Sequence, residues 1–356
     1  MSLKVAVWGT GNVGRPALRA VLAHSDCELK AVIVSADDKV GKDAGELAGM
    51  AACGVVASKD AQAAIDAGLD CMIYTASADT RPDEARADLL SCLRQGVNVV
   101  STSFYDFLDP ELAPEEALGP VQKACEEGGS SLFISGIDPG WAMDVLPVFV
   151  SGMVSDIEEI RAQEIFNYAL YDAPDIVRYV IGFGQPMSEL PLMLYDEVLM
   201  KIWAPMLHSM AKGLGKRLDK VETRIERREL DQSVDVKGMG RFEKGTQGAF
   251  RFEVVGYCDG EPRFVVEHIT RIHEDCAKDW PYPPEEGGCH RILITGNPNL
   301  TVTVHGDDER ETGAAAGGNA SAASRIVNAI PAVCAAKAGV VTPWDLPPIT
   351  GAAQLR

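Results

Sequence analysis

Val5-Ala6-Val7-Trp8-Gly9-Thr10-Gly11-Asn12-Val13-Gly14 is the stretch that decides the fold. Its first half is an apolar, partly β-branched run that reads as a buried strand, and its second half spaces glycines as GxGxxG. Beyond it, Val13, Ala17, Leu18 and Val21 recur at helical spacing, so the glycines lie between a strand and a helix. Each glycine has its own task in such a turn. Gly9 permits the tight bend, Gly11 lets the backbone approach a pyrophosphate, and Gly14 lets helix and strand pack closely. The pyrophosphate would rest on free N–H groups at the helix N-terminus, with Thr10, Asn12 and Val13 completing the contacts. A purely structural glycine turn is the competing interpretation. The second strand that follows, Leu29–Val34, favours dinucleotide binding, and hence NAD(H) or NADP(H).

Outward from this motif, apolar runs alternate with Ala-rich helical stretches. Strands are predicted at Lys4–Trp8, Leu29–Val34, Cys71–Tyr74, Asn98–Ser101 and Ser131–Ile134, and helices at Asn12–Ala23, Asp60–Ala67, Pro82–Gln95 and Pro114–Glu127. Such alternation means right-handed βαβ units, and so an α/β Rossmann domain with a doubly wound parallel sheet. The pattern changes after Gly136-Ile137-Asp138-Pro139-Gly140, which reads as a hinge. Longer strand-like stretches follow at Glu158–Phe166, Glu222–Glu229, Ala249–Cys258, Arg263–Ile272, His290–Thr295 and Leu300–Val304. They predict a second, α+β substrate domain of mostly antiparallel strands, backed by a helix over Leu190–Met210. The expected boundaries are 1–140 for the dinucleotide domain and 141–312 for the substrate domain. A C-terminal helix and tail, 313–356, are expected to return to the first domain.

With 52 acidic and 33 basic side chains the chain carries a net charge of −19, and no Lys/Arg run offsets it, so nucleic-acid binding is not expected. Asp196, Glu197, Lys201 and Pro205 interrupt the most apolar long stretch, so no membrane span is expected. The N-terminus shows no secretory pattern. Nine scattered cysteines without CxxC or CxxH pairs suggest free thiols in a cytoplasmic protein and no metal site.

Cofactor choice turns on the end of the second strand, Val34-Ser35-Ala36-Asp37-Asp38-Lys39. An NAD enzyme usually places a carboxylate there for the ribose hydroxyls, whereas an NADP enzyme places small polar and basic groups for the 2′-phosphate. Ser35, with Lys39 and Arg15 within reach, favours NADP; Asp37 and Asp38 keep NAD open. Ligands of such sheets bind at the carboxyl ends of the strands. The loops Thr75-Ala76-Ser77-Ala78 and Thr102-Ser103-Phe104-Tyr105 are therefore expected beside the dinucleotide, with helix capping as the plainer role of their hydroxyls.

Taken with Lys39–Gly45, Val97–Thr102, Gly136–Asp144, Val327–Pro331 and Asp345–Pro347, the chain resembles the dihydrodipicolinate reductase-like superfamily. It is closer to the branch of 2,4-diaminopentanoate dehydrogenase and the native amine dehydrogenases. That resemblance implies a homodimer formed through the second domain and hydride transfer at a carbon bearing nitrogen. The lysine-precursor reductases of the superfamily carry an HH–K element before a DAPSGT segment. Here Glu164–Tyr168 and Asp172-Ala173-Pro174-Asp175 keep only Asp-Ala-Pro, so dihydrodipicolinate reduction is not expected. Trp141 and Tyr168 match the substrate-pocket aromatics of the amine dehydrogenases. Their glutamate, just past the fifth strand, corresponds to Phe104, with Asp106 two residues on as the available acid.

Hydride transfer also needs a group that moves a proton. Tyr168 and Asp106 are the candidate catalytic residues; Phe104, Tyr105, Trp141, Asn167 and Tyr171 are candidate pocket residues. Asp138 reads better as a turn residue. His268 and His290 read as structural; Arg271 and Arg291 are candidates to bind a carboxylate but read better as solvent-facing or paired with surplus acids. Gly182-Phe183-Gly184 either closes on the site or ends a helix. With no Lys/Arg among the aromatics, the substrate is expected to be small and hydrophobic. Three functions fit: amine dehydrogenase-like chemistry at a C–N/C=N centre, an ammonia-independent carbonyl reductase or alcohol dehydrogenase, and a catalytically silent dinucleotide-binding regulator.

Overall fold

A computed structural model of the protein describes residues 2–171, 173–284, 287–311 and 315–355. Asp172 and the expected boundary at 312/313 lie outside the described residues. In chain order the first elements are β1 (Leu3–Trp8), α1 (Gly14–Ala23), β2 (Cys27–Ile33), α2 (Ala44–Leu47), β3 (Ala57–Ser58), α3 (Ala61–Asp66), β4 (Cys71–Tyr74), α4 (Pro82–Arg94), β5 (Asn98–Ser101), α5 (Glu115–Gly128) and β6 (Ser131–Ile134). Then come α6 (Val145–Ser151), β7 (Ser155–Asn167), α7 (Asp196–Gly213), β8 (Lys220–Glu229), β9 (Val234–Val236), β10 (Gly240–Phe242), β11 (Gln247–Cys258), β12 (Glu261–Arg271), β13 (Gly288–Asn297), β14 (Leu300–Val304), α8 (Ala316–Cys334) and β15 (Gly339–Val341). They form two compact units, 1–140 with 318–356, and 141–317.

The first unit is built on a seven-stranded sheet in the order β15-β6-β5-β4-β1-β2-β3. Every pairing is parallel. Val5, Ala6 and Val7 of β1 and Cys71, Met72 and Ile73 of β4 are fully buried, as expected of central strands covered on both faces. On one face α1 supplies Ala17, Leu18 and Val21 and α8 supplies Ile326, Val327, Ile330 and Val333 to the same core. The strand order reverses between β1 and β4, and in doubly wound sheets ligands bind where that reversal leaves a crevice. β3 and β15, two and three residues long, were not anticipated from sequence. Runs that short carry no readable periodicity.

The second unit has a six-stranded sheet, β14-β13-β7-β12-β11-β8. Four of its pairings are antiparallel and one, β7 with β12, is parallel. Trp203 of α7 packs on the sheet against Phe252, with ring centres 4.7 Å apart, and against His268 at 4.9 Å. The helix expected to start near Leu190 instead begins at Asp196, after Pro191 and a 3₁₀ turn over Leu192–Leu194. Asp196 and Glu197 then occupy its first turn, where carboxylates suit the positive end of the helix dipole. Among the described residues no helix is long and apolar enough to cross a membrane.

Candidate cofactor and substrate site

The three glycines of the fingerprint face different surroundings. Gly9 has φ +99°, and a Cβ there would lie 2.8 Å from the Ala76 nitrogen. At Gly14 a Cβ would lie 2.0 Å from the Gly9 carbonyl oxygen, so β1 and α1 meet at a distance only glycine permits. Gly11 differs: a Cβ there meets nothing within 4 Å. Its bare backbone therefore borders open space rather than protein. At the start of α1, Val13 provides no side-chain cap and the first turn holds no acid, which leaves that end suited to an anion. A pyrophosphate fits these features.

The carboxyl ends of β1 to β4 surround a cleft of about 540 Å³. Of the residues expected at the cofactor, Gly9, Thr10, Gly11, Ser35, Lys39, Ala76 and Ser77 line it. Asn12, Val13, Gly14, Thr102 and Ser103 are not among the lining residues. The turn is tied down from two sides. Lys39 Nζ donates to the Thr10 carbonyl at 3.0 Å and to its hydroxyl at 3.1 Å, and Thr75 Oγ1 donates to the Gly9 carbonyl at 3.0 Å. The Ser103 hydroxyl donates to the Ala76 carbonyl at 2.7 Å, which joins the loop after β5 to the loop after β4. Trp8, Ile33, Lys59 and Arg81 also line the cleft and were not singled out from sequence. Arg81 donates to the Tyr74 hydroxyl at 2.7 Å and pairs with Asp88. Among the described residues the charged ones that line the cleft are thus Lys39, Lys59 and Arg81, with no carboxylate, in a chain of net charge −19. Asp37 pairs with Lys59 at 2.6 Å and Asp38 with Lys42 at 3.9 Å, and neither acid lines the cleft.

Just past β5, Phe104 adopts a left-handed backbone, φ 63° and ψ 47°, uncommon for a residue other than glycine or asparagine. Its ring lies 5.1 Å from that of Tyr74, which in turn lies 5.3 Å from Trp8. Tyr105 and Asp106 follow in a 3₁₀ turn and are exposed.

In the second unit, Tyr168 is gathered with Phe166 (5.0 Å), Tyr171 (5.3 Å) and Phe183 (5.8 Å) into one aromatic cluster. Burial, then the charge of Glu164, raise the pKa of Tyr171, which keeps its hydroxyl protonated. The Asn167 side chain accepts a hydrogen bond from the Ala169 N–H at 3.0 Å and so caps the turn that presents Tyr168. Trp141 packs on Phe149, with ring centres 6.2 Å apart. Gly182 and Gly184, both at positive φ, end the helical turn Ile176–Val180, and Phe183 between them is 1% exposed. The loop thus ends a helical turn, and its Phe183 packs beside Tyr168.

His268 is buried, 3.3 Å from Glu164 and stacked on Phe252 with ring centres 4.8 Å apart. Arg271 requires a correction. Rather than facing solvent or an acid, it is 2% exposed, lies 4.0 Å over the Tyr282 ring and donates to the Pro281 carbonyl. Burial lowers its pKa. Arg291 donates to the Tyr282 carbonyl, so both arginines anchor the segment after β12.

Residues 3–106 match the family described as dihydrodipicolinate reductase, N-terminus, and residues 141–354 match the 2,4-diaminopentanoate dehydrogenase C-terminal domain. The chain is 48% identical over 347 residues to an amine dehydrogenase of Streptomyces virginiae, spanning 97% of this chain and 96% of that one. It is 23% identical over 258 residues to a 2,4-diaminopentanoate dehydrogenase of Acetoanaerobium sticklandii, spanning 67% and 62% of the two chains. The solved structure of an amine dehydrogenase from Mycobacterium smegmatis shares the fold, with a TM-score of 0.75 at 20% identity over 100% of this chain and 99% of that one. A likeness that runs through both units at this level places the chain in the 2,4-diaminopentanoate and amine dehydrogenase family, as an NAD(P)-dependent oxidoreductase.

Proposed function

We propose that the protein is an NADP(H)-preferring amine dehydrogenase that interconverts a small hydrophobic amine and its ketone. The observation that carries the cofactor choice is the charge of the cleft, three cations and no carboxylate where an NAD-selective site would place an acid on the ribose. Ser35 and Lys39 are assigned to the adenosine end. Gly9, Thr10, Gly11, Asn12, Val13 and Gly14 are assigned to the pyrophosphate, and Ala76, Ser77, Thr102 and Ser103 to the loops beside the ribose and nicotinamide. When bound, the nicotinamide supplies or accepts the hydride.

The proton work falls to this chain's own residues. In the first unit, Asp106 is an exposed carboxylate two residues past Phe104, placed to take a proton from an ammonium group. Phe104 and Tyr105 supply apolar surface there. In the second unit, Tyr168 offers a hydroxyl to the substrate heteroatom, and Trp141 and Tyr171 add aromatic walls; Asn167 holds the Tyr168 turn. The net reaction, protonated amine plus NADP⁺ plus water giving ketone, NADPH, ammonium and a proton, is balanced without any further oxidant. The family likeness supports a homodimer working in the cytoplasm.

A specific observation favours one second reading. Phe104, where the amine dehydrogenases carry a glutamate, cannot transfer a proton, and this suits ammonia-independent carbonyl reduction with Tyr168 or water as the donor. Initial rates of NADPH oxidation with apolar ketones, with and without ammonium, separate the two. The cofactor choice has its own test. Ser35→Glu is expected to shift the ratio of NADPH to NADH affinity toward NADH by about tenfold or more, the loss of one charge-assisted contact. Titration of both cofactors into wild type and variant reads it, and an unmoved ratio would remove Ser35 from the 2′-position.

A further inference from the structure

We propose that Lys59 is a specificity-determining residue of the cofactor site, its ammonium forming the 2′-phosphate subsite with Ser35 while Asp37 serves as the internal counter-ion that the phosphate displaces. This rests on the NADP reading above and gives one of its three cleft cations a specific role.

The sheet puts Lys59 there. β3 pairs in parallel with β2, Val32 opposite Ala57 and Ile33 opposite Ser58, and the Val34 N–H donates to the Ser58 carbonyl at 2.9 Å. Lys59 therefore leaves the sheet beside Ser35, at the strand end where the adenosine ribose of a dinucleotide sits. Both residues line the same cleft.

The three cleft cations are engaged differently. Lys39 is anchored to the carbonyl and hydroxyl of Thr10, and Arg81 is locked by Tyr74 and Asp88, whose carboxylate is largely covered. Lys59 instead holds Asp37, whose side chain is 96% exposed and which does not line the cleft. An exposed ion pair of this kind is weak and is screened by salt. A phosphate monoester brings close to two negative charges and three strong acceptor oxygens, and lysine binds phosphate as a compact point charge. Exchange of Asp37 for a 2′-phosphate therefore strengthens the contact to Lys59. With only a ribose hydroxyl to offer, NAD(H) gives no such exchange, and Lys59 stays with Asp37.

The probes are adenosine 2′,5′-bisphosphate and AMP, which differ only in the 2′-phosphate, together with NADPH and NADH. Each is titrated calorimetrically into wild type, Lys59→Ala, Lys59→Arg and Asp37→Asn. Lys59→Ala is expected to weaken the bisphosphate and NADPH by about tenfold or more, while AMP and NADH change less than about twofold. Lys59→Arg is expected to retain most of the preference, and Asp37→Asn to tighten the bisphosphate but not AMP. If wild type prefers NADPH but Lys59→Ala weakens phosphorylated and unphosphorylated ligands alike, or neither, the Lys59 assignment falls and the NADP reading stands. Wild-type protein that binds AMP and the bisphosphate equally overturns both. Unchanged melting temperatures for these surface variants show that the comparison concerns folded protein.

Discussion

Gly11→Val is expected to abolish dinucleotide binding in a protein that folds as well as wild type. The two halves of that expectation come from the same geometry. An added Cβ at Gly11 enters open space, with no atom beyond its chain neighbours within 4 Å, and the backbone there is not in the left-handed region, so a side chain finds room without strain of the turn. What it fills is the space beside the uncapped start of α1, where the pyrophosphate must come close to the backbone. Affinity for NADPH and NADH should fall together by on the order of 100-fold or more, near 3 kcal/mol. The melting temperature of the ligand-free protein should stay within about 2 °C, a change of no more than about 1 kcal/mol for a domain of this size. Calorimetric titration and thermal denaturation read the two halves, and normal binding by the variant would show that the pyrophosphate lies elsewhere.

Gly14→Ala is the converse, a smaller substitution with its cost in the fold. The added methyl would sit 2.0 Å from the Gly9 carbonyl oxygen, 2.7 Å from its carbon and 2.9 Å from the Thr75 hydroxyl. Two of these atoms are backbone of the fingerprint turn, which Lys39 and Thr75 already fasten, so they have little freedom to withdraw. Relief requires α1 to move off β1, and its buried Ala17, Leu18 and Val21 would lose packing as it does. Overpacking of this kind costs about 3 kcal/mol or more. For a domain of this size that corresponds to a fall in melting temperature of roughly 6–12 °C. A variant as stable as wild type would mean that helix and strand do not meet as closely as described.

Those two glycines also mark how far the sequence could be read. β4, β5 and β6 begin and end at the residues expected, because a short apolar run between two helical stretches marks a covered strand of a parallel sheet. The edge strand β3 left no such mark, and with it the position of Lys59 at the cofactor cleft stayed hidden. Parallel pairing of β7 with β12 was equally invisible, since alternation along a strand reports its faces and not its neighbour's direction. Arg271 was misjudged because charge predicts exposure, whereas the flat guanidinium is accommodated over Tyr282 with a backbone acceptor. The left-handed conformation of Phe104 had no signal at all, because that region is ordinarily announced by Gly or Asn.

The central claim, NADP(H)-dependent chemistry at a carbon–nitrogen centre, is tested most directly by initial rates of NADPH and NADH oxidation with a panel of small apolar ketones, in the presence and absence of ammonium at constant ionic strength. Oxidation is expected only when ketone and ammonium are both present, and faster with NADPH. Ketone-dependent oxidation at the same rate without ammonium would contradict it, as would tight cofactor binding with no turnover across the panel.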